Sequence, residues 1–261
     1  MDDSVMEQIA AKFQLNPEEL RTAFSTGAPL PLTSASSDEE AMRVTSELND
    51  LGMETRVVLG VNLKKDVAHV NIRALEFAED WVTAVSRIGR QRLAARFRDM
   101  ALIVTGRLLV HRVEVDERRS RSSVKALDRR ELSQDQSVID LYAQSSDAPW
   151  RITVNDFDFS CLGERKGLTT FDNVKALIEL LKERTPAELN DAYARVKPVL
   201  AHVWPLQNTA SQGRSRRPSA KRHDFSVVNC SDNEEQFNNY SRLVWCLKRQ
   251  GQTPDSERAS V

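Results

Sequence analysis

Met6, Ile9, Ala10 and Phe13 recur at helical spacing near the start of the chain. The pattern restarts at Asn16-Pro17-Glu18-Glu19, where Asn16 caps, Pro17 takes the first helical position and Glu19 stands at N3. Ser37-Asp38-Glu39-Glu40 is a second capping box. Ala41, Val44, Leu48 and Leu51 come after it as one apolar stripe, closed by Gly52 at a position suited to a left-handed residue. Between these helices Pro29 and Pro31 fix φ, so residues 28–33 read as an extended edge segment, and residues 53–59 read as a strand. Residues 1–62 are thus expected to form a small α/β unit: one or two short helices, then strand–helix–strand.

From residue 67 the apolar repeat changes from helical to alternating. Residues 67–75 and 81–86 are short β-rich runs, and Ile88-Gly89 marks a turn. Over residues 90–98 the alternation puts Leu93, Ala95 and Phe97 on one face and Arg90, Arg92, Arg96 and Arg98 on the other. Residues 101–119 stay β-like but exceed an ordinary strand, so Gly106 is expected at a bulge, bend or turn. Residues 118–137 are polar and read as a long mobile loop; residues 138–144 and 150–159 then form a hairpin. Thr169 or Thr170 caps the next helix, with Val174, Leu177, Ile178 and Leu181 on its apolar stripe.

Thr185-Pro186-Ala187-Glu188 is a third capping box, which predicts a helix from residue 186 to about residue 197. Residues 208–223 are rich in Ser, Gly, Arg and Lys and read as a flexible basic linker. Residues 225–228 read as a short strand. Phe237, Tyr240, Leu243, Val244 and Leu247 define a last helix whose apolar face must dock on the body or on a partner.

These patterns carry two resemblances. The run Ala41-x-x-Val44-x-x-x-Leu48-x-x-Leu51-Gly52 is similar to half of the split βαβ modules of SPOR, ACT and ribosomal-stalk C-terminal domains, without their second half; no function is carried over. A strand meander closed by one helix, over residues 67–185, resembles the PH-like superfold of bacterial PH domains, and Phe97-Arg98-Asp99-Met100 looks like a step common in those domains. The stretches 156–169 and 233–243 look like signatures of bacterial proteins and imply no activity. The PH-like resemblance implies binding of proteins, peptides or anionic lipid headgroups, and rarely catalysis, by analogy of fold alone.

The expected architecture is α+β: the N-terminal unit, a central antiparallel PH-like barrel closed by a C-terminal helix over residues 66–186, and a helical extension over 187–207. A basic flexible linker over 208–224, a strand and docking helix over 225–250 and a disordered tail over 251–261 complete it.

Charge changes this picture in one respect. The chain of 261 residues has a net charge of -1, but residues 1–60 carry 4 basic and 11 acidic groups and residues 61–130 carry 16 and 9. An acidic head and a basic middle imply separate units that attract each other. No run is long and apolar enough to span a bilayer, and Met1-Asp2-Asp3-Ser4 does not open a signal peptide, so a cytoplasmic location is expected. Three cysteines without a C-x-x-C spacing encode neither a disulfide framework nor a zinc site.

The candidate chemistry is sparse. The four histidines (His69, His111, His202, His223) have no ligand-spaced neighbours, and no phosphate-loop, dinucleotide or nucleophile-elbow motif occurs. No catalytic residue, metal or cofactor is expected. A divergent metal-dependent hydrolase or nuclease would draw on Asp140, Asp156, Asp158 and the E-x-K of Glu164-Arg165-Lys166, but that E-x-K comes after Gly163 in a loop. Asp156 and Asp158 otherwise end a strand and bond the next turn. The candidate binding surface is the row Arg90, Arg92, Arg96 and Arg98, which either engages an anionic ligand or pairs with Glu114, Asp116, other nearby acids or the acidic N-terminal unit. The expected role is that of an intracellular, non-enzymatic adaptor for a protein or anionic ligand. Attachment to an anionic membrane through the same row and linker is the alternative. Nucleic acid is not expected, because no strand joins basic residues to exposed aromatic platforms.

Overall fold

The computed structural model describes residues 2–63, 69–89, 91–119, 124–146, 148–214 and 224–252. Its frame is a mixed α+β arrangement around one sheet. The strands are β1 (Val70–Phe77), β2 (Trp81–Ser86), β3 (Arg92–Arg96), β4 (Met100–Arg119), β5 (Val124–Ala143), β6 (Trp150–Thr153), β7 (Glu188–Asn190), β8 (Gln207–Arg214) and β9 (Asp224–Asp232). They lie in the order β3-β2-β1-β6-β5-β4-β9-β8, with β7 beside β4. Pairing is antiparallel except between β1 and β6 and between β4 and β7.

The sheet is open: among the described residues, β3 and β8 end its path. The expected barrel does not close, for a topological reason. β1 takes β6 as a parallel neighbour, which sends β4 to the opposite side from β3. The far half of β4 then pairs with β9 instead of returning to β3.

Both faces of the sheet are covered near its middle. On one face Leu102, Val104, Val138 and Tyr142 pack under the helices α1 (Asp3–Phe13), α2 (Pro17–Phe24), α3 (Asp38–Asp50), α6 (Tyr193–Val203) and α7 (Glu234–Gln252). On the other, Met100, Ile103, Ile139 and Leu141 meet Leu177, Leu180 and Leu181 of α5 (Thr170–Arg184). This two-sided burial is why residues 138–143 are all apolar except Asp140.

The helix caps form where the local chemistry places them. Asn16 accepts from the N–H groups of Glu18 and Glu19, Ser37 from that of Glu40, and Thr169 from that of Asp172. The N-terminal unit nevertheless differs from its expected form. Among the described residues, 28–33 and 53–59 pair with no strand, and the regular elements of the segment are helices, with a short α4 (Gly60–Leu63) last. Met6, Ile9, Leu20 and Leu48 share a core with α6 and α7, so apolar contact holds these helices on the body.

Four further expectations are corrected. Residues 124–137 are strand rather than loop, in register with β4 from Val138 opposite Gly106 to Val124 opposite Arg119. Both faces there are polar, so no apolar alternation signals the strand. β4 runs straight through Gly106; its register shifts fall between Met100 and Leu102 and between Asp116 and Glu117. The third capping box opens no helix: Thr185 Oγ1 turns back to the Leu181 carbonyl, Glu188–Asn190 becomes β7, and α6 starts only at Tyr193. Residues 208–214 of the expected linker lie in β8 and Asp224 in β9, and residues 251 and 252 of the expected tail belong to α7, while residues 215–223 and 253–261 lie outside the described residues.

α7 docks on the body, as its apolar face requires. Asn233, at its start, donates to the Arg107 carbonyl at 2.9 Å and to Tyr193 Oη at 2.8 Å, and accepts from the Leu109 N–H at 2.6 Å. The helix is thereby fixed to β4 and α6 together.

Candidate functional site

Alternation along β3 and into the short helical turn Phe97–Asp99 turns Ala95 and Phe97 inward and Arg92, Arg96 and Arg98 outward. Arg90 lies outside the described residues. The three described arginines have different surroundings. Arg92 donates from Nη1 to Glu76 of β1 at 3.0 Å and pairs with the other carboxylate oxygen through Nη2. The pairing partner is therefore on β1 and not Glu114 or Asp116, which β4 carries to the far side of the sheet. Arg98 Nε stands 3.8 Å from Asp99. Arg96 lies over the ring of Trp81, its guanidinium carbon 5.1 Å from the ring centre, and Trp81 is 42% exposed.

Beside Arg96 and Arg98 opens a cleft of about 640 Å³. One wall is Glu79 and Asp80, in the turn between β1 and β2. The other is the end of α5 and the residues just beyond it, Glu183, Arg184 and Pro186, with Arg165 from the helical segment Phe159–Arg165. Arg184 sits over Phe97, 5.8 Å from its ring centre, and Arg165 donates to Glu183 at 2.7 Å. Four guanidinium groups thus converge from three parts of the chain. Arg96 and Arg184 each lie over an aromatic ring, which shields one side of a cation that carries a planar fork of N–H donors. Such donors suit the bidentate geometry of a carboxylate or phosphate.

Half of this site was visible in sequence. The Arg row on β3 carries its own periodicity. Arg165 and Arg184 gave no signal, because Arg184 meets Phe97 only through the packing of α5 against the sheet, and Arg165 reaches the cleft through its bond to Glu183 of that helix.

The carboxylates of the hydrolase alternative are not brought together. Asp140 is fully buried and bound to Arg151, which donates from Nε and Nη2 to its two oxygens at 2.7 Å each. Asp156 accepts from Arg87 at 2.7 Å, and Asp158 caps the Ser160 N–H at 2.9 Å, the turn role its position implied. Glu164 is exposed, on the helical segment Phe159–Arg165 whose Phe159 and Leu162 are buried. Among the described residues no group of three His, Cys, Asp or Glu side chains is arranged to hold a metal ion.

The Asp140–Arg151 pair has a structural role under α7. Ser241 Oγ donates to Asp140 at 2.8 Å and lies 2.9 Å from Tyr142 Oη, so Tyr142 donates to it in turn. Arg151 Nη1 also donates to Asn238 at 2.6 Å. Burial, with the Arg151 charge adding to it, pushes the nearby His69 imidazole down to about 4. Burial likewise holds the Tyr142 hydroxyl well above the usual tyrosine range.

Among the described residues no helix is long and apolar enough to cross a membrane. No family model, curated protein or solved structure matches the chain.

Proposed function

We propose that the protein acts by binding rather than by catalysis, as an intracellular adaptor that holds an acidic group of a protein partner in the cleft between β3 and the end of α5. The observation that carries this reading is the convergence of Arg96, Arg98, Arg165 and Arg184 on one cleft, with Arg96 over Trp81 and Arg184 over Phe97.

The test is fluorescence polarisation of a labelled glutamate hexapeptide against the full chain. Saturable binding that weakens with added salt and is lost in R96Q/R184Q, with the circular dichroism spectrum unchanged, supports the reading. Binding that ignores both arginines overturns it.

A second reading, attachment to an anionic lipid surface, draws on Leu168 and Phe171. Both side chains are exposed at the start of α5, next to Lys166. Sedimentation with phosphatidylserine vesicles, lost in L168S/F171S, would favour it over the first.

A further inference from the structure

β3 is an end strand whose only neighbour among the described residues is β2. The Ser86 N–H donates to the Gln91 carbonyl at 2.8 Å and the Phe97 N–H to the Asp80 carbonyl at 2.9 Å. Antiparallel pairing repeats every second residue, so Gln91, Leu93, Ala95 and Phe97 direct their backbone groups at β2. The N–H and C=O groups of Arg92, Ala94 and Arg96 therefore face the free edge. All three residues are exposed, and the edge leads directly into the arginine cleft.

Protected sheet edges carry a proline, charged side chains, a bulge or a covering segment. β3 has no proline, and its pairing with β2 runs from Val85 opposite Arg92 to Trp81 opposite Arg96 without a bulge. What it carries is cations. A second copy of the chain pairing antiparallel on this edge would set Arg92 and Arg96 against their own equivalents, which like-charge repulsion opposes. An acidic strand meets the opposite condition. The other end strand, β8, has a single cation, Arg214, and no arginine lines the cleft of about 400 Å³ beside it.

Resting on the binding role proposed above, we propose that the partner segment is an extended acidic peptide that adds to the sheet as a strand along the free edge of β3, its end entering the cleft. The geometry fixes its pattern. In a hydrogen-bonded antiparallel pair, residues directly opposite share a face of the sheet. Peptide residues opposite Arg92, Ala94 and Arg96 therefore lie on the arginine face and direct their own N–H groups at β3. Those residues are acidic. The alternating ones turn towards the side of Leu93 and Ala95 and are apolar.

The probe is a fluorescein-labelled heptapeptide of alternating Glu and Val, titrated by polarisation against the full chain. N-methylation of its Glu residues removes the N–H groups that face β3, and N-methylation of its Val residues removes those that face solvent; charge is the same in both. The expected result is at least about tenfold weaker binding for the Glu-methylated peptide and a change within about twofold for the Val-methylated one. The A94P variant, which removes one edge donor, weakens the parent peptide to a similar degree. Equal affinities for the two methylated peptides, with binding still lost in R96Q/R184Q, overturn strand addition and leave the cleft reading standing. Binding indifferent to R96Q/R184Q, or no saturable binding at about 1 mM peptide, overturns both.

Discussion

Phe237 of α7 lies against the backbone of Gly106 in β4, so close that a Cβ at residue 106 would stand 2.4 Å from the ring. The glycine serves this approach and not a bend. Gly106→Ala is expected to destabilise the fold by about 1–3 kcal/mol, since ring and strand must separate. Adding Phe237→Leu should recover part of that loss, a non-additivity that urea denaturation of the double variant will show.

Asp140 and Arg151 are 0% and 3% exposed. Asp140→Ala leaves a buried guanidinium without its bidentate partner and should cost about 3–5 kcal/mol. The paired replacement D140L/R151M removes both charges and should be much milder. If the two urea midpoints coincide, the pair is not what fastens α7.

His69 links stability to pH. Its folded-state value of about 4 lies below the ordinary 6.5, so the fold favours the neutral ring. The stabilisation is complete above pH 6.5 and is lost as pH falls towards the folded value. Between about pH 7.5 and about pH 4.5 the native chain should lose about 1–3 kcal/mol more than His69→Asn. Parallel pH profiles for the two proteins would refute this.

Cys161 is half-buried, and burial pushes its thiol up to about 11. At about pH 8 only on the order of 0.1% is thiolate. Alkylation by iodoacetamide, followed by peptide mass spectrometry, should find it far slower to react than a cysteine in an unstructured peptide, and should reach peptide-like rates only in denaturant.

Legibility in the sequence divides along physical lines. Caps at Asn16, Ser37 and Thr169 are local chemistry, and all three formed. The β3 alternation was legible because one of its faces is buried. Residues 124–137 were not, because a strand with two polar faces has no apolar period. Thr185-Pro186-Ala187-Glu188 satisfied every local rule for a helix start, yet pairing of Leu189 opposite Ile103 in β4 overrode it. The cleft lies between these cases. Arg96 announced itself through its neighbours on β3, whereas Arg184 met Phe97 only through the packing of α5.

The core shared by the first and last helices governs the order in which the chain can mature. Val104, Val138 and Tyr142 are roofed by side chains as distant as Ile9, Phe237 and Trp245. A nascent chain that has emerged only as far as β9 holds both β4 and β5, but it still exposes that face of the sheet and an Asp140 carboxylate lacking Ser241. Folding of this half is thus deferred until residues 234–252 have left the ribosome, and the intermediate before that moment is the species a chaperone would meet.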